Sequence, residues 1–321
     1  MRSMRVVGPR IFDEQELPNP EVLDGQVLIK LERLSVCGSD LRIFDRTLPE
    51  EDYPLESGRP CHECAGVIVE SKNDSLEVGQ RVIVLPSTSA GLVEYLAEPP
   101  ERIIPIPSYG DLSSWVMCQH MGTVMYSADR LGSVLGKRVV VLGQGPIGLN
   151  FTYWMSQLGA KQIIAVDLLD YRLAVSKKLG ATEIINSSKD DVIKAIPELT
   201  DGHQADVVIE AAGTAETINQ MFSIIRKMGT AVLFGQPHYE DVLPINYDVM
   251  MSSLATILPT ISSRPPNDPT SHIKHCVDLV DQKRINLDHL VTHSFPFGDA
   301  QKAFELYSDK EDNVLKVIME L

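Results

Sequence analysis

The sequence predicts an α/β chain in which a β-rich domain precedes a doubly wound parallel sheet. Three observations predict it. Short β-like runs broken by Pro and Gly fill the chain from Met4 to about Pro107, and apolar runs alternate with helix-like segments from about Gly122 onward. One of those alternations opens on Val139-Val-Val-Leu-Gly143-Gln-Gly145-Pro146-Ile147-Gly148, a buried strand running into a glycine loop. At 321 residues the chain has room for two domains, each with a core of its own. The expected organisation is 1–120 for the first part of the β-rich domain, 121–261 for the parallel sheet, and 262–321 for a terminal segment too small to fold alone, which should rejoin the first domain.

In chain order, Val27–Leu34, Gly66–Glu70 and Arg81–Leu85 are strand-sized apolar runs. Cys37 falls just past the first and His62 just before the second, where loops held on a rigid sheet bring distant residues together. The second half reads as strands at Val139–Leu142, Ile163–Val166, Val207–Ile209, Ala231–Phe234 and Ala255–Leu258. Helices are expected at Gly145–Leu158, Arg172–Leu179 and Ala215–Met228. Strand-helix alternation of this kind implies a parallel sheet buried on both faces. The Pro-rich run Ser263–Pro269 then punctuates the chain. Ser271–Gln282 and Gly298–Tyr307 have helical patterning, and Val314–Met319 reads as a closing strand.

Composition narrows the function. With 29 Lys+Arg against 44 Asp+Glu, the formal charge of -15 repels phosphate backbones and anionic membrane surfaces, so neither nucleic acid nor membrane is an expected partner. No signal-peptide-like run opens the chain and no apolar run reaches the roughly 18 residues of a membrane span; a cytoplasmic protein is expected. The cysteines at 37, 61, 64, 118 and 276 are an odd number, which favours reduced thiols or metal ligands over disulfides.

In the glycine loop, Gly143 permits a tight turn, Gly145 lets backbone approach a pyrophosphate, and Gly148 lets helix and strand pack closely; Pro146 and Ile147 open the helix whose amide groups face the phosphates. Asp167 ends the next β-run, where a carboxylate accepts hydrogen bonds from both ribose hydroxyls of NAD and repels the extra phosphate of NADP. Leu168 and Leu169 follow it, with no Arg directly beside it. NAD is the expected cofactor, and Arg172 on the next helix is a candidate for the adenosine ribose.

Cys37 and His62 are a thiolate and an imidazole suited to zinc. The motifs Gly25-Gln-Val-Leu-Ile-Lys30, Cys37-Gly-Ser-Asp40, His62-Glu-Cys-Ala-Gly66, Val78-Gly-Gln-Arg-Val82, the glycine loop, Arg172–Ala181, Asp206-Val-Val-Ile-Glu210 and His293-Ser-Phe-Pro-Phe297 follow in one order over nearly the whole chain. In this it resembles the zinc-containing medium-chain alcohol and polyol (sorbitol-type) dehydrogenases. The resemblance implies a GroES-like catalytic domain, to which the C-terminal segment returns, and a Rossmann domain. It also implies a catalytic zinc on Cys37 and His62 with Glu63 beside or on the metal. The family's remaining zinc-proximal residue falls at Cys118-Gln119-His120: Cys118 is chemically the best ligand, ungapped counting favours Gln119, and His120 is a further candidate. Cys61 and Cys64 are read as packing residues, since adjacent side chains diverge along an extended backbone. The family's structural-zinc lobe should follow Pro86, yet the chain runs from Ser87 to Gly91 directly into Leu92-Val-Glu-Tyr-Leu96. One catalytic zinc and no structural zinc are therefore expected.

The resemblance further implies hydride transfer between NAD and an alcohol or its ketone, with Ser39 accepting the alcohol proton. Arg42 stands where many members carry a relay histidine, and at neutral pH it cannot shuttle protons. Asp40 is expected to orient the loop or a ligand; Lys316 either touches the site or, as the favoured reading, is solvated at the surface; and Glu210 ends its strand at the cofactor-facing rim, in a structural or a functional role. The expected substrate is a secondary alcohol, polyol or sugar-like molecule, and the expected assembly is a homodimer or homotetramer. Two alternatives stand beside this reading: a zinc-free medium-chain reductase of activated double bonds or quinones, and a non-catalytic NAD-sensing or structural protein.

Overall fold

The computed structural model describes residues 1–238, 242–260, 265 and 267–321. Of the Pro-rich stretch expected to punctuate the chain, residues 263, 264 and 266 lie outside the described residues, as does the expected boundary at 261/262. The chain forms two compact units, Met1–Thr123 with Arg264–Leu321, and Val124–Ser263.

The first unit is built on a seven-stranded sheet. Its strands lie in the order Val291–Pro296, Lys316–Glu320, Val27–Ser35, Glu63–Ser71, Arg81–Val84 and Ile103–Pro105, with Tyr95–Glu98 also pairing with Val27–Ser35. The inward side chains Ile29, Leu31, Leu34, Ile68, Val82 and Val84 share one apolar cluster with Val317 and Met319 of the closing strand. Burial of such side chains is the main stabilising term. Lys316–Glu320 runs antiparallel to Val27–Ser35, pairing Ile318 with Ser35 and Met319 with Leu34, so the chain's last strand lies beside the strand that leads to Cys37. The rings of Phe12, Phe44 and Phe304 pack together with centroids 4.9–5.2 Å apart, Phe12 stacked on Phe44 and edge-on to Phe304, and clamp the helix Gly38–Phe44 onto the helix Ala300–Asp309. Where a metal-binding lobe was expected to be missing, a short loop closes on itself: Ser87 donates from its backbone N and its Oγ to the two oxygens of the buried Glu98, at 2.7 and 2.5 Å.

The second unit is a six-stranded sheet, parallel throughout. Its strands lie in the order Glu183–Asn186, Gln162–Asp167, Arg138–Leu142, Ala205–Glu210, Ile225–Leu233 and Thr256–Pro259. In chain order that is 3-2-1-4-5-6, the order of the doubly wound dinucleotide-binding fold. Val139–Leu142 are fully buried, as strands covered on both faces require.

Several elements differ from the expected ones. The helix begun at Ala215 ends at Ile224, and Ile225–Leu233 is a strand that bends where Met228 adopts a positive φ of 61° before Gly229. A 20-residue helix, Leu112–Leu131, spans the stretch where only a change of character was expected. From Trp115 to Met121 every residue is buried, so it lacks the one-sided apolar stripe by which helices are recognised. The short elements Glu183–Asn186, Val192–Leu199 and Tyr247–Ser253 come in addition to the expected ones. Among the described residues no helix is long and apolar enough to cross a membrane.

Candidate metal centre and cofactor loop

Strand Val27–Ser35 delivers Cys37 to the start of the helix Gly38–Phe44, and strand Glu63–Ser71 begins at Glu63, directly after His62. Ligand atoms of Cys37, His62 and Glu63 all lie within 4.8 Å of one another, the one group of three or more such residues among those described. Asp40 braces two of the three. Its Oδ2 accepts from the backbone N of Cys37 at 3.0 Å, and its Oδ1 accepts from Nδ1 of His62 at 2.9 Å, which directs Nε2 away from the carboxylate. Ser39 donates its hydroxyl to Sγ of Cys37 at 3.3 Å.

Charge in the site is tightly compensated. Burial disfavours the imidazolium of His62, but Asp40 and then Cys37 more than offset it and hold the ring well above its ordinary value. A metal ion must displace that proton to bind. Burial alone raises the Glu63 carboxyl; the opposing charge of Lys316, followed by those of His120 and His62, brings it down to about 2. Lys316 is completely buried, and its Nζ donates to Oε2 of Glu63 at 2.5 Å and to the carbonyl of Val36 at 3.1 Å. Oε1 of Glu63 is buried with no hydrogen-bond partner. A metal ion held by the cluster would give that atom the partner it lacks, and sulfur, imidazole nitrogen and carboxylate oxygen are a zinc-compatible donor set.

Two expectations need correction here. Cys118 is not brought into the group. It sits on the helix Leu112–Leu131 with its side chain buried against the thiol of Cys276, to which it is hydrogen-bonded, whereas His120, two positions on, is the residue of that triplet that feels Lys316, Glu63 and His62. Burial and the charge of Lys316 push the His120 imidazole down to about 3, so it is neutral at ordinary pH. Gln119 is buried. The second correction is to the favoured reading of Lys316 as solvated: it is buried, and of its two readings the one that brings it to the site holds. The signal for it was a lone lysine inside the run Val314–Met319, whose other residues are all apolar and buried; a charge in such a run needs a buried partner. Cys61 and Cys64 pack against each other, sulfur to sulfur at 3.8 Å, and stay out of the cluster.

In the second unit the glycine loop joins strand Arg138–Leu142 to the helix Pro146–Gln157, with Pro146 at its first position and Gly145 as its N-cap. Gln144 fastens the loop. Its backbone N donates to Asp167 Oδ2 at 2.6 Å, its amide donates to the carbonyl of Val141 at 3.1 Å, and its Oε1 accepts from Thr152 and Ser176, both at 2.8 Å. Asp167 also accepts from the backbone N of Leu169 at 2.9 Å. The sequence placed no arginine beside Asp167, yet Arg172 folds back along its helix to bring Nη1 within 3.9 Å of Oδ2. Glu210 ends its strand fully buried. Its Oε1 accepts from the backbone N of Ala212 and Gly213 and from the Thr217 hydroxyl, and burial raises its carboxyl above the ordinary value.

Comparison with known proteins bears on both units. Residues 23–125 match the family described as alcohol dehydrogenase GroES-like domain, and residues 146–275 match that described as zinc-binding dehydrogenase. A zinc-type alcohol dehydrogenase-like protein of Haemophilus influenzae is 28% identical over 332 aligned positions, covering 94% of each chain. The sorbitol dehydrogenase of Bacillus subtilis is 27% identical, covering 99% of this chain and 97% of its own. Among solved structures, an Escherichia coli oxidoreductase/dehydrogenase of unknown specificity superposes with a TM-score of 0.85 at 25% identity, covering 100% of this chain and 99% of its own.

Proposed function

Because the chain belongs to the zinc-containing medium-chain alcohol/polyol dehydrogenases, we propose that it oxidises a secondary alcohol or polyol, or reduces the corresponding ketone, with NAD as the hydride carrier. The observation that carries this reading is the cluster of Cys37, His62 and Glu63 with its unpartnered carboxylate oxygen. Zinc bound there would make an alcohol hydroxyl more acidic, the chemistry hydride release needs. Asp40 fixes the ring of His62 and the backbone of Cys37. Ser39, both donor and acceptor, is the group to receive the alcohol proton, and its hydroxyl already lies within bonding distance of the Cys37 sulfur. One zinc per chain is proposed, since the Ser87–Gly91 loop carries no cysteine. Purified protein incubated with zinc and NAD against a panel of secondary alcohols, polyols and sugar alcohols tests the whole reading. Equimolar zinc and NADH formation support it; metal-free protein that reduces quinones instead would replace it with the reductase alternative.

NAD preference rests on Asp167. We expect Asp167→Asn to narrow the ratio of kcat/KM for NAD over NADP by about tenfold or more, because a hydrogen bond to a charged group is worth about 1.5–3 kcal/mol and the repulsion of a 2′-phosphate goes with the charge. Taking the ratio of the two cofactors cancels any loosening of the loop that Asp167 also fastens. With Arg172 beside Asp167, an unchanged ratio would assign the preference elsewhere.

A homodimer is proposed from the edge of the second sheet. Among the described residues, Thr256–Pro259 pairs only with Ile225–Leu233, and Met251, Leu254 and Ile257 nearby are 53, 63 and 40% exposed. An exposed apolar strand edge invites pairing with another copy. Leu254→Glu combined with Ile257→Lys is expected to shift sedimentation to the monomer, and a native-sized species would refute this edge as the contact.

A further inference from the structure

We propose that Lys316 is a positioning residue of the metal centre: it holds one oxygen of Glu63 so that the other is presented to the ion. The inference rests on the reading of Cys37, His62 and Glu63 as the metal site. It starts from an asymmetry within one carboxylate. Oε2 of Glu63 takes a hydrogen bond from Nζ of Lys316 at 2.5 Å, while Oε1 is equally buried and has none. Nζ is itself anchored by the carbonyl of Val36, the residue before Cys37, at 3.1 Å. The ammonium is thereby fixed between the backbone leading to one proposed ligand and the side chain of another.

Tethering the last strand does not account for this lysine. The strand Lys316–Glu320 is already held by its backbone pairing with Val27–Ser35 and Val291–Pro296, by the bond from the backbone N of Val36 to the carbonyl of Val317, and by a run of buried apolar side chains. Replacing a buried ion pair with apolar residues is often neutral or stabilising, so an ordinary staple at position 316 would be apolar. What an apolar residue cannot do is choose which oxygen of Glu63 faces the thiolate and the imidazole. With Lys316 in place, Glu63 offers the ion a single oxygen. Without it, the carboxylate is free to turn and offer both.

The test uses cobalt(II) as the metal probe, because its absorption reports both thiolate ligation and coordination number. Wild-type protein is expected to show a thiolate-to-cobalt band. Lys316→Met should keep that band but weaken and shift the visible bands, as Glu63 supplies its second oxygen. Glu63→Gln provides an arm independent of that variant's folding. Lys316 should capture the only carbonyl oxygen of the new amide and leave its NH2 facing the ion, lowering cobalt affinity by at least about tenfold, the scale on which groups supporting a metal act. Adding Lys316→Met to Glu63→Gln should then recover affinity, since the amide can turn its oxygen back. Unchanged visible bands in Lys316→Met, or a double variant no tighter than Glu63→Gln alone, would make Lys316 a mere staple and overturn the proposal. Absence of the thiolate band in the wild type would instead overturn the metal site on which it rests.

Discussion

Under the proposed function, a Cys37→Ser protein is expected to fold normally, to lose zinc, and to retain less than about one hundredth of the parent's alcohol oxidation. Loss of an outer partner of a metal ligand typically costs 10–100-fold in metal affinity or activity, and loss of the ligand itself should exceed that. A serine hydroxyl stays protonated at neutral pH where a thiol is readily ionised by a metal, so it does not replace the sulfur. The fold should tolerate the change because position 37 is the N-cap of the helix Gly38–Phe44, where serine is among the preferred residues. Asp40, which accepts from the backbone N of residue 37, does not depend on the side chain there. Asp40→Asn makes a graded companion: the ring of His62 loses its charged anchor, and zinc affinity should drop by roughly 10- to 100-fold without vanishing. Zinc content after dialysis, thermal melting and NADH production measured on the same samples check all of this. A serine variant that keeps stoichiometric zinc and turns over like the parent would remove Cys37 from the site.

What the sequence makes legible follows from how local each constraint is. The glycine loop is readable because its three glycines and the following Asp167 answer demands made within one strand-turn-helix unit, and the closeness of His62 to Glu63 in sequence carries two of the three clustered candidate ligands on one strand entry. Partners supplied from far along the chain are not readable in that way. Lys316 meets Glu63 only because the closing strand pairs with Val27–Ser35. Nothing at position 316 but an isolated charge among apolar residues hints at the encounter. Likewise, whether Cys118, Gln119 or His120 turns toward the centre depends on the rotation of a helix buried on nearly all sides, whose pattern gives no phase. Arg172 illustrates a smaller failure: five positions separate it from Asp167 in sequence, but the helix beginning at Asp170 turns it back onto the carboxylate.

Gly148→Ala is expected to unfold or severely loosen the second unit, whereas Gly145→Ala should leave it folded and abolish cofactor binding. The two glycines stand three positions apart in one loop, yet their surroundings differ. A Cβ on Gly148 would lie 1.8 Å from the carbonyl oxygen of Gly143 and 2.8 Å from its carbonyl carbon, both main-chain atoms. They have little room to retreat. Gly143 holds a φ of 89°, open to few other residues, and the next residue, Gln144, is tied to Asp167, Val141, Thr152 and Ser176. The helix Pro146–Gln157 would have to lift off the strand Arg138–Leu142, an overpacking penalty of at least about 3 kcal/mol. At Gly145 the backbone is extended, with φ of -63° and ψ of -179°, and the nearest atom to an added Cβ is Nη1 of Arg172 at 3.8 Å, ordinary contact distance. The methyl group would therefore cost the fold little, but under the proposed function it would occupy the space through which a pyrophosphate approaches the helix amides. Thermal melting should separate the pair by many degrees, while NADH fluorescence titration should find both unable to bind. An alanine at 145 that binds NADH as the parent does would mean that the loop is no phosphate site, and a stable, fully cooperative alanine variant at 148 would mean that this close approach is not what seats the helix on the sheet.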